Sequence, residues 1–205
     1  MLVLVAILAG CSSLPPDYLV KLTPQYAGGK GSCTGMLLYP DVVLTAGHCT
    51  ELKRVVTWGG DEAYVVDRVE SGITDMALLV LDREIHTVYR PEFGDVDHEK
   101  PARFYGLCPM QWGASPRWGW HVERVRYPYE DSGPYVDNWQ MSEGFRLSNM
   151  ICGGDSGGLV MQENKIVGIL SGIYVWFPYQ QSGDEVVTIP TQYVDEMVER
   201  LKETE

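Results

Sequence analysis

From Leu19 onward the apolar residues of this 205-residue chain come in short runs, and turn signals separate them. Met36-Leu37-Leu38-Tyr39 and Val42-Val43-Leu44 flank Pro40-Asp41, and Val55-Val56-Thr57-Trp58 stops at Gly59-Gly60. Met76-Ala77-Leu78-Leu79-Val80-Leu81 is continuously apolar, as a strand covered on both faces would be. Val122 to Tyr127 alternates roughly with period two, and Lys165 to Leu170 and Val186 to Ile189 are further strand candidates. Many short strands with regular turns predict a sandwich or barrel. The end of the chain breaks the rhythm. Val194, Met197, Val198 and Leu201 recur at helical spacing, which predicts a docked helix over 191–202. Residues His86 to Lys100, polar and holding Pro91 and Gly94, read as a linker crossing between two halves. A chain of this length buries about 70% of its unfolded surface and can hold a core without a metal.

Charge removes several functional classes. There are 16 Lys and Arg against 28 Asp and Glu, a net charge of −12, and no basic block, so nucleic acid is not an expected partner. The N-terminus carries its own signal. Leu2 to Ala9 is an apolar run too short to span a membrane but of the length of a signal-peptide core. It ends in Leu8-Ala9-Gly10-Cys11, which resembles the lipobox of bacterial lipoproteins, although no positive residue precedes the run. That resemblance implies a signal peptide over 1–10, a lipidated Cys11, a tether over 11–18 and a membrane contact made through the lipid. The implied location is the bacterial cell envelope, at the outer membrane or periplasm of a Gram-negative cell, or outside the cell. The plainer alternative is an apolar end with Cys11 as a spare thiol. With Cys11 set aside, Cys33, Cys49, Cys108 and Cys152 remain. An even number in an exported chain points to two disulfides, with three possible connectivities.

Three local motifs carry chemistry. Leu44-Thr45-Ala46-Gly47-His48-Cys49 follows an apolar strand, Thr74-Asp75-Met76-Ala77-Leu78-Leu79 opens another, and Cys152-Gly153-Gly154-Asp155-Ser156-Gly157-Gly158 is rich in glycine. In this order and these contexts they resemble the chymotrypsin/trypsin-like serine peptidase family, over about residues 19–205. A serine hydroxyl is a weak nucleophile that needs a neighbouring base. The resemblance implies Ser156 as nucleophile, His48 as general base and Asp75 as the group that orients His48. The N–H groups of Gly154 and Ser156 would stabilise the oxyanion. The implied fold is all-β: two antiparallel six-stranded β-barrels, over about 19–90 and 101–190, with a C-terminal α-helix.

The same resemblance implies a Cys33–Cys49 bridge around the His48 strand pair, leaving Cys108 for Cys152. That second pairing departs from the family, whose cysteine before the serine pairs downstream, where none exists here. No Ile-Val-Gly-Gly-like run precedes Cys33, so no activating cleavage is expected, and Asp155 should be satisfied by internal donors. Met150 aligns with the floor of the primary pocket and Ser171-Gly172-Ile173 with its wall, implying cleavage after apolar or small residues. Asp184 and Glu185 read as a solvated turn rather than as pocket groups. Trp112, Trp118, Trp120, Tyr127, Tyr129, Tyr135 and Trp139 read as core under long loops, with a peptide grip as the alternative. The four histidines, His48, His86, His98 and His121, show no metal-ligand spacing, and neither a metal nor another cofactor is expected. The resulting expectation is a monomeric serine endopeptidase acting on polypeptides. Its activity should fall in acid near the ordinary histidine pKa of about 6.5. The alternative is a catalytically silent, lipid-anchored binding module on the same fold.

Overall fold

Pro40 and Asp41 turn two apolar runs back on each other, and that hairpin starts the architecture. β2 (Cys33–Tyr39) and β3 (Val42–Ala46) pair antiparallel, with Met36 opposite Leu44 and Leu37 opposite Val43. The computed structural model describes residues 17–25, 31–57, 59–72, 74–88, 90–97, 99–100, 102–107, 117–122, 143–147, 153–173 and 185–203. β1 (Leu19–Thr23), β4 (Arg54–Thr57), β5 (Glu62–Glu70) and β6 (Met76–Leu81) join the hairpin in the order β1-β2-β3-β6-β5-β4, and β1 pairs with β4 to close a barrel. The second half has β7 (Ala102–Tyr105), β8 (Arg117–Val122), β9 (Glu143–Leu147), β10 (Leu159–Gln162), β11 (Lys165–Ile173) and β12 (Glu185–Pro190). These close in the order β10-β11-β12-β9-β8-β7. The fold is therefore the all-β double barrel, with a C-terminal helix, that the motifs implied. Closure removes the free edges that open sheets must otherwise protect.

β3 is buried at every position, and β6 at every position but the half-buried Val80. One face of each strand fills the barrel; beyond the other lie the helix α1 (Val194–Lys202), packed on β5 and β6, and β11, in contact with β3. Strands covered on both faces need apolar residues on both, which explains their unbroken apolar sequence. β5 shows the opposite case. Only Ala63 and Val69 are buried along its nine residues, so it presents no apolar run and escaped the sequence reading. β8 begins upstream of the run predicted from Val122, and residues 123–127 lie outside the described residues.

The C-terminal helix is shorter than the predicted 191–202. β12 continues through Pro190, and Thr191–Tyr193 forms one 3-10 turn before α1 starts. The Thr191 hydroxyl donates to the Gly94 carbonyl (3.3 Å), tying this junction to the crossing segment. Val194, Met197, Val198 and Leu201 are buried, the stripe read from the sequence. The crossing segment is fastened more firmly than its polar composition foretold. Ile166 N–H donates to Glu92 O and Gly94 N–H donates to Ile166 O, adding a parallel bridge at Phe93. The buried Gln162 amide donates to the carbonyls of Asp97 and Lys100 (2.9 Å each) and accepts from Asp97 N–H.

Cys33 and Cys49 form a disulfide with Cα atoms 6.2 Å apart, within the relaxed range. It links the start of β2 to the turn after β3 and closes a loop with a sequence separation of 16. Replacing both cysteines with Ala should lower the unfolding free energy by about 3 kcal/mol, the loop-closure value for this size. Urea unfolding of the double variant checks this; an unchanged midpoint would show that the loop is already fixed by its hairpin.

Candidate active site

β3 delivers the histidine. After Ala46 the chain leaves the sheet in a single 3-10 turn, Gly47–Cys49, with His48 at its centre. Ala46 lies opposite Met76 in the β3–β6 ladder, so the residue before β6, Asp75, sits beside Gly47. A Cβ on Gly47 would stand 2.9 Å from Asp75 Oδ1 and 3.3 Å from its backbone, so glycine lets the two segments meet. Two contacts result. His48 N–H donates to Asp75 Oδ1 (2.8 Å), and His48 Nδ1 lies 2.8 Å from Asp75 Oδ2. A carboxylate only accepts, so Nδ1 carries the proton and Nε2 is left as the basic nitrogen. The Asp75 side chain is 11% exposed and that of His48 49%, a shielded anion holding an accessible base.

A third donor reaches Asp75 from the other barrel. Ser171 Oγ donates to Asp75 Oδ2 at 2.5 Å, and Ser171 is buried. Its position has a structural cause. Leu170 pairs with Thr188 and Gly172 with Val187, so Ser171 is the extra residue of a bulge in β11. Bulges re-aim side chains, often beside active sites. The resemblance places Ser171 only in the pocket wall; a serine in the apolar run of β11 is the one local sign of its contact with Asp75. Gly172 and Ile173 continue β11, paired with Val187 and Val186. Met150, Cys108 and Cys152 lie outside the described residues, as do Asp184, the N-terminal segment with Cys11, and most of the aromatic stretch.

The serine arrives on the turn before β10. Gly154 and Gly157 both adopt positive φ, 114° and 79°, which glycine alone takes readily. Gly157 is wedged against Thr34 O, the Thr45 hydroxyl and Ala46 N, so the turn sits directly on the β2–β3 hairpin. Thr34 N–H donates to Ser156 O (2.7 Å), and Gly157 N–H donates to Leu170 O (2.6 Å). The N–H groups of Gly154 and Ser156 have no hydrogen-bond acceptor among the described residues, and Ser156 Oγ makes no hydrogen bond to His48. Asp155 is 1% exposed, its carboxylate packed against Gly106, where any Cβ would collide with it. Four of the seven buried polar or charged residues described, Thr34, Thr45, Asp155 and Ser171, belong to this one region. Buried polar groups require partners, and the Thr34, Thr45 and Ser171 side chains find theirs here, those of Thr34 and Ser171 across the meeting of the two barrels.

Cys33, His48 and Cys49 hold ligand-type atoms within 4.8 Å of one another, the one such group among the described residues. Its two sulfurs are bonded to each other and cannot act as thiolates while the disulfide stands.

No protein-family profile and no curated protein matches this sequence. The fold does match solved structures. The Rv3671c protease from M. tuberculosis in its active form aligns with a TM-score of 0.67 at 15% identity, over 89% of this chain and 80% of that one. Kallikrein-related peptidase 10, solved as a complex with Zn2+, gives 0.68 at 17% identity over 94% and 98%. The scabies mite inactivated protease paralogue S-I1 gives 0.68 at 18% identity over 91% and 95%. The chain thus has the chymotrypsin-like serine protease fold, a scaffold that active and inactivated proteins share.

The Asp75 hydrogen bond raises the His48 pKa above its ordinary 6.5; burial opposes the shift and the Asp75 charge adds to it. Protonated His48 is therefore favoured in the folded state. Its contribution to stability is complete below about pH 6.5 and fades as pH rises through the folded value. An NMR titration of His48 should give a midpoint above 6.5, and Asp75→Asn should bring it below 6.5, where burial alone acts. An equal midpoint in both proteins would mean that the pair is not formed in solution.

Proposed function

We propose that this chain is a serine endopeptidase that hydrolyses peptide bonds through an acyl-enzyme on Ser156. The observation that carries the reading is the three-donor hold on Asp75, which fixes His48 with Nε2 as its basic nitrogen, two residues after Ala46, against which the Ser156 turn packs. In this mechanism Ser156 Oγ attacks the substrate carbonyl carbon while His48 Nε2 takes the hydroxyl proton. The oxyanion is met by the N–H groups of Gly154 and Ser156, which have no other acceptor among the described residues. The C–N bond breaks as His48 returns the proton to the leaving amine. Water, deprotonated by His48, then cleaves the ester and frees Ser156. Asp75 remains ionised and stabilises the imidazolium in both halves. Because His48 is shifted upward, the acid limb of kcat/KM lies above pH 6.5 rather than at it.

The reading includes export and anchoring through a lipid on Cys11, supported by the apolar run and the Leu8-Ala9-Gly10-Cys11 sequence. Cys11→Ala should move the protein from the membrane to the soluble fraction of the producing cell; retention on the membrane would remove the anchor.

A second reading is a lipid-anchored binding module that does not turn over. One observation favours it, the missing hydrogen bond between Ser156 Oγ and His48. Such contacts commonly tighten only in the substrate complex, so the enzyme reading is preferred. Labelling with a fluorophosphonate probe, beside a Ser156→Ala control, separates the two. Labelling that needs Ser156 is the expected result. A folded protein that takes no label is the binding module.

A further inference from the structure

Thr34, the second residue of β2, is fully buried and bonds to the Ser156 turn with both its N–H and its hydroxyl. Its N–H donates to Ser156 O (2.7 Å). Its hydroxyl donates to Gly154 O (2.7 Å) and accepts from Leu107 N–H (2.8 Å). Its carbonyl accepts from the Thr45 hydroxyl (2.7 Å), which holds Thr34 to the neighbouring strand of its own barrel. One residue of the first barrel therefore occupies two carbonyls of the serine turn in the second.

A peptide unit is planar, so fixing a carbonyl fixes the plane that holds it. The Thr34 hydroxyl orients the Gly154–Asp155 peptide, and the Thr34 N–H orients the Ser156–Gly157 peptide. Gly154 has φ of 114°, a region open to several ψ values for glycine, so local sterics alone leave this turn underdetermined. These two units flank the Asp155–Ser156 peptide, whose carbonyl accepts from Gly158 N–H (2.8 Å), and the N–H groups of Gly154 and Ser156 face no acceptor among the described residues. The same hydroxyl also holds Leu107, next to Gly106, whose backbone lies against the buried Asp155 carboxylate.

We infer that Thr34 is a positioning residue of the oxyanion site: its hydroxyl holds the Gly154–Asp155 peptide, which joins the two peptide units that carry the Gly154 and Ser156 N–H groups, and so couples barrel docking to transition-state stabilisation. The inference rests on Gly154 and Ser156 being the oxyanion donors. A hydroxyl is what the position requires. Valine has the same shape but would leave Gly154 O and Leu107 N–H without their partner.

The test compares Thr34→Val, Thr34→Ser and the parent protein in steady-state peptide hydrolysis, with a crystal structure of Thr34→Val. Thr34→Val should lose about 10²-fold in kcat with KM little changed, because a misaligned oxyanion donor acts on the transition state. Thr34→Ser should recover most of that rate. The Gly154–Asp155 peptide should be rotated in the Thr34→Val crystal. Should Thr34→Val fail to fold, Thr34→Ala, which leaves room for a water, is measured the same way. Unchanged kcat in the folded hydroxyl-less variant, or an equal loss in Thr34→Ser, overturns the inference. A parent protein without turnover would count against the enzyme reading instead; the crystal structure would then decide alone, and an unrotated peptide would overturn the inference.

Discussion

The carboxylate of Asp75 accepts from both halves of the molecule. Two of its hydrogen bonds come from His48, in the first barrel, and the third from Ser171, in the second. A largely shielded carboxylate is costly unless its lone pairs are met, so Asp75 is satisfied only when the barrels are docked in register. The same docking places the Ser156 turn on the β2–β3 hairpin through Gly157 and Thr34. Packing and chemistry therefore depend on the same few contacts across one interface, where the β10 and β11 residues Leu159, Met161, Ile166 and Ile169 join the core of the first barrel.

The fold by itself assigns no activity. Structures that align equally well with this chain include an active protease and an inactivated paralogue, all below 20% identity. What distinguishes a working site is local: an accessible base whose tautomer is fixed, a nucleophile beside it, and donors without other partners. In the proposed reading these parts are His48, Ser156 and the Gly154 turn. His48 is the most completely defined of them, since both Asp75 oxygens hold it, and Ser156 the least, since its hydroxyl makes no hydrogen bond to His48.

Much of this was legible in the sequence, for reasons that differ by element. β3 and β6 announced themselves because both faces are covered, and α1 because four buried side chains share one stripe. β5 was silent because most of its side chains face water. His48, Asp75 and Ser156 stood out because each lies in a short motif whose glycines and flanking strands are local. Thr34 did not, and Ser171 stood out only as pocket wall, because the contacts they make lie 120 and 96 residues away in sequence. A bulge that turns Ser171 inward leaves no mark on composition. The polar crossing segment read as a plain linker, since its anchoring to Ile166 and Gln162 runs through backbone groups that every residue has.

A serine nucleophile assembled by barrel docking, as proposed, forms a covalent acyl intermediate. Mixing the folded protein with an activated ester, quenching in acid within the first turnover and weighing the intact chain tests it most directly. One acyl group per chain is the expected result, located on Ser156 by peptide mapping and formed more slowly as pH falls below the His48 pKa. An unmodified chain, or an acyl group on any other residue, would contradict it.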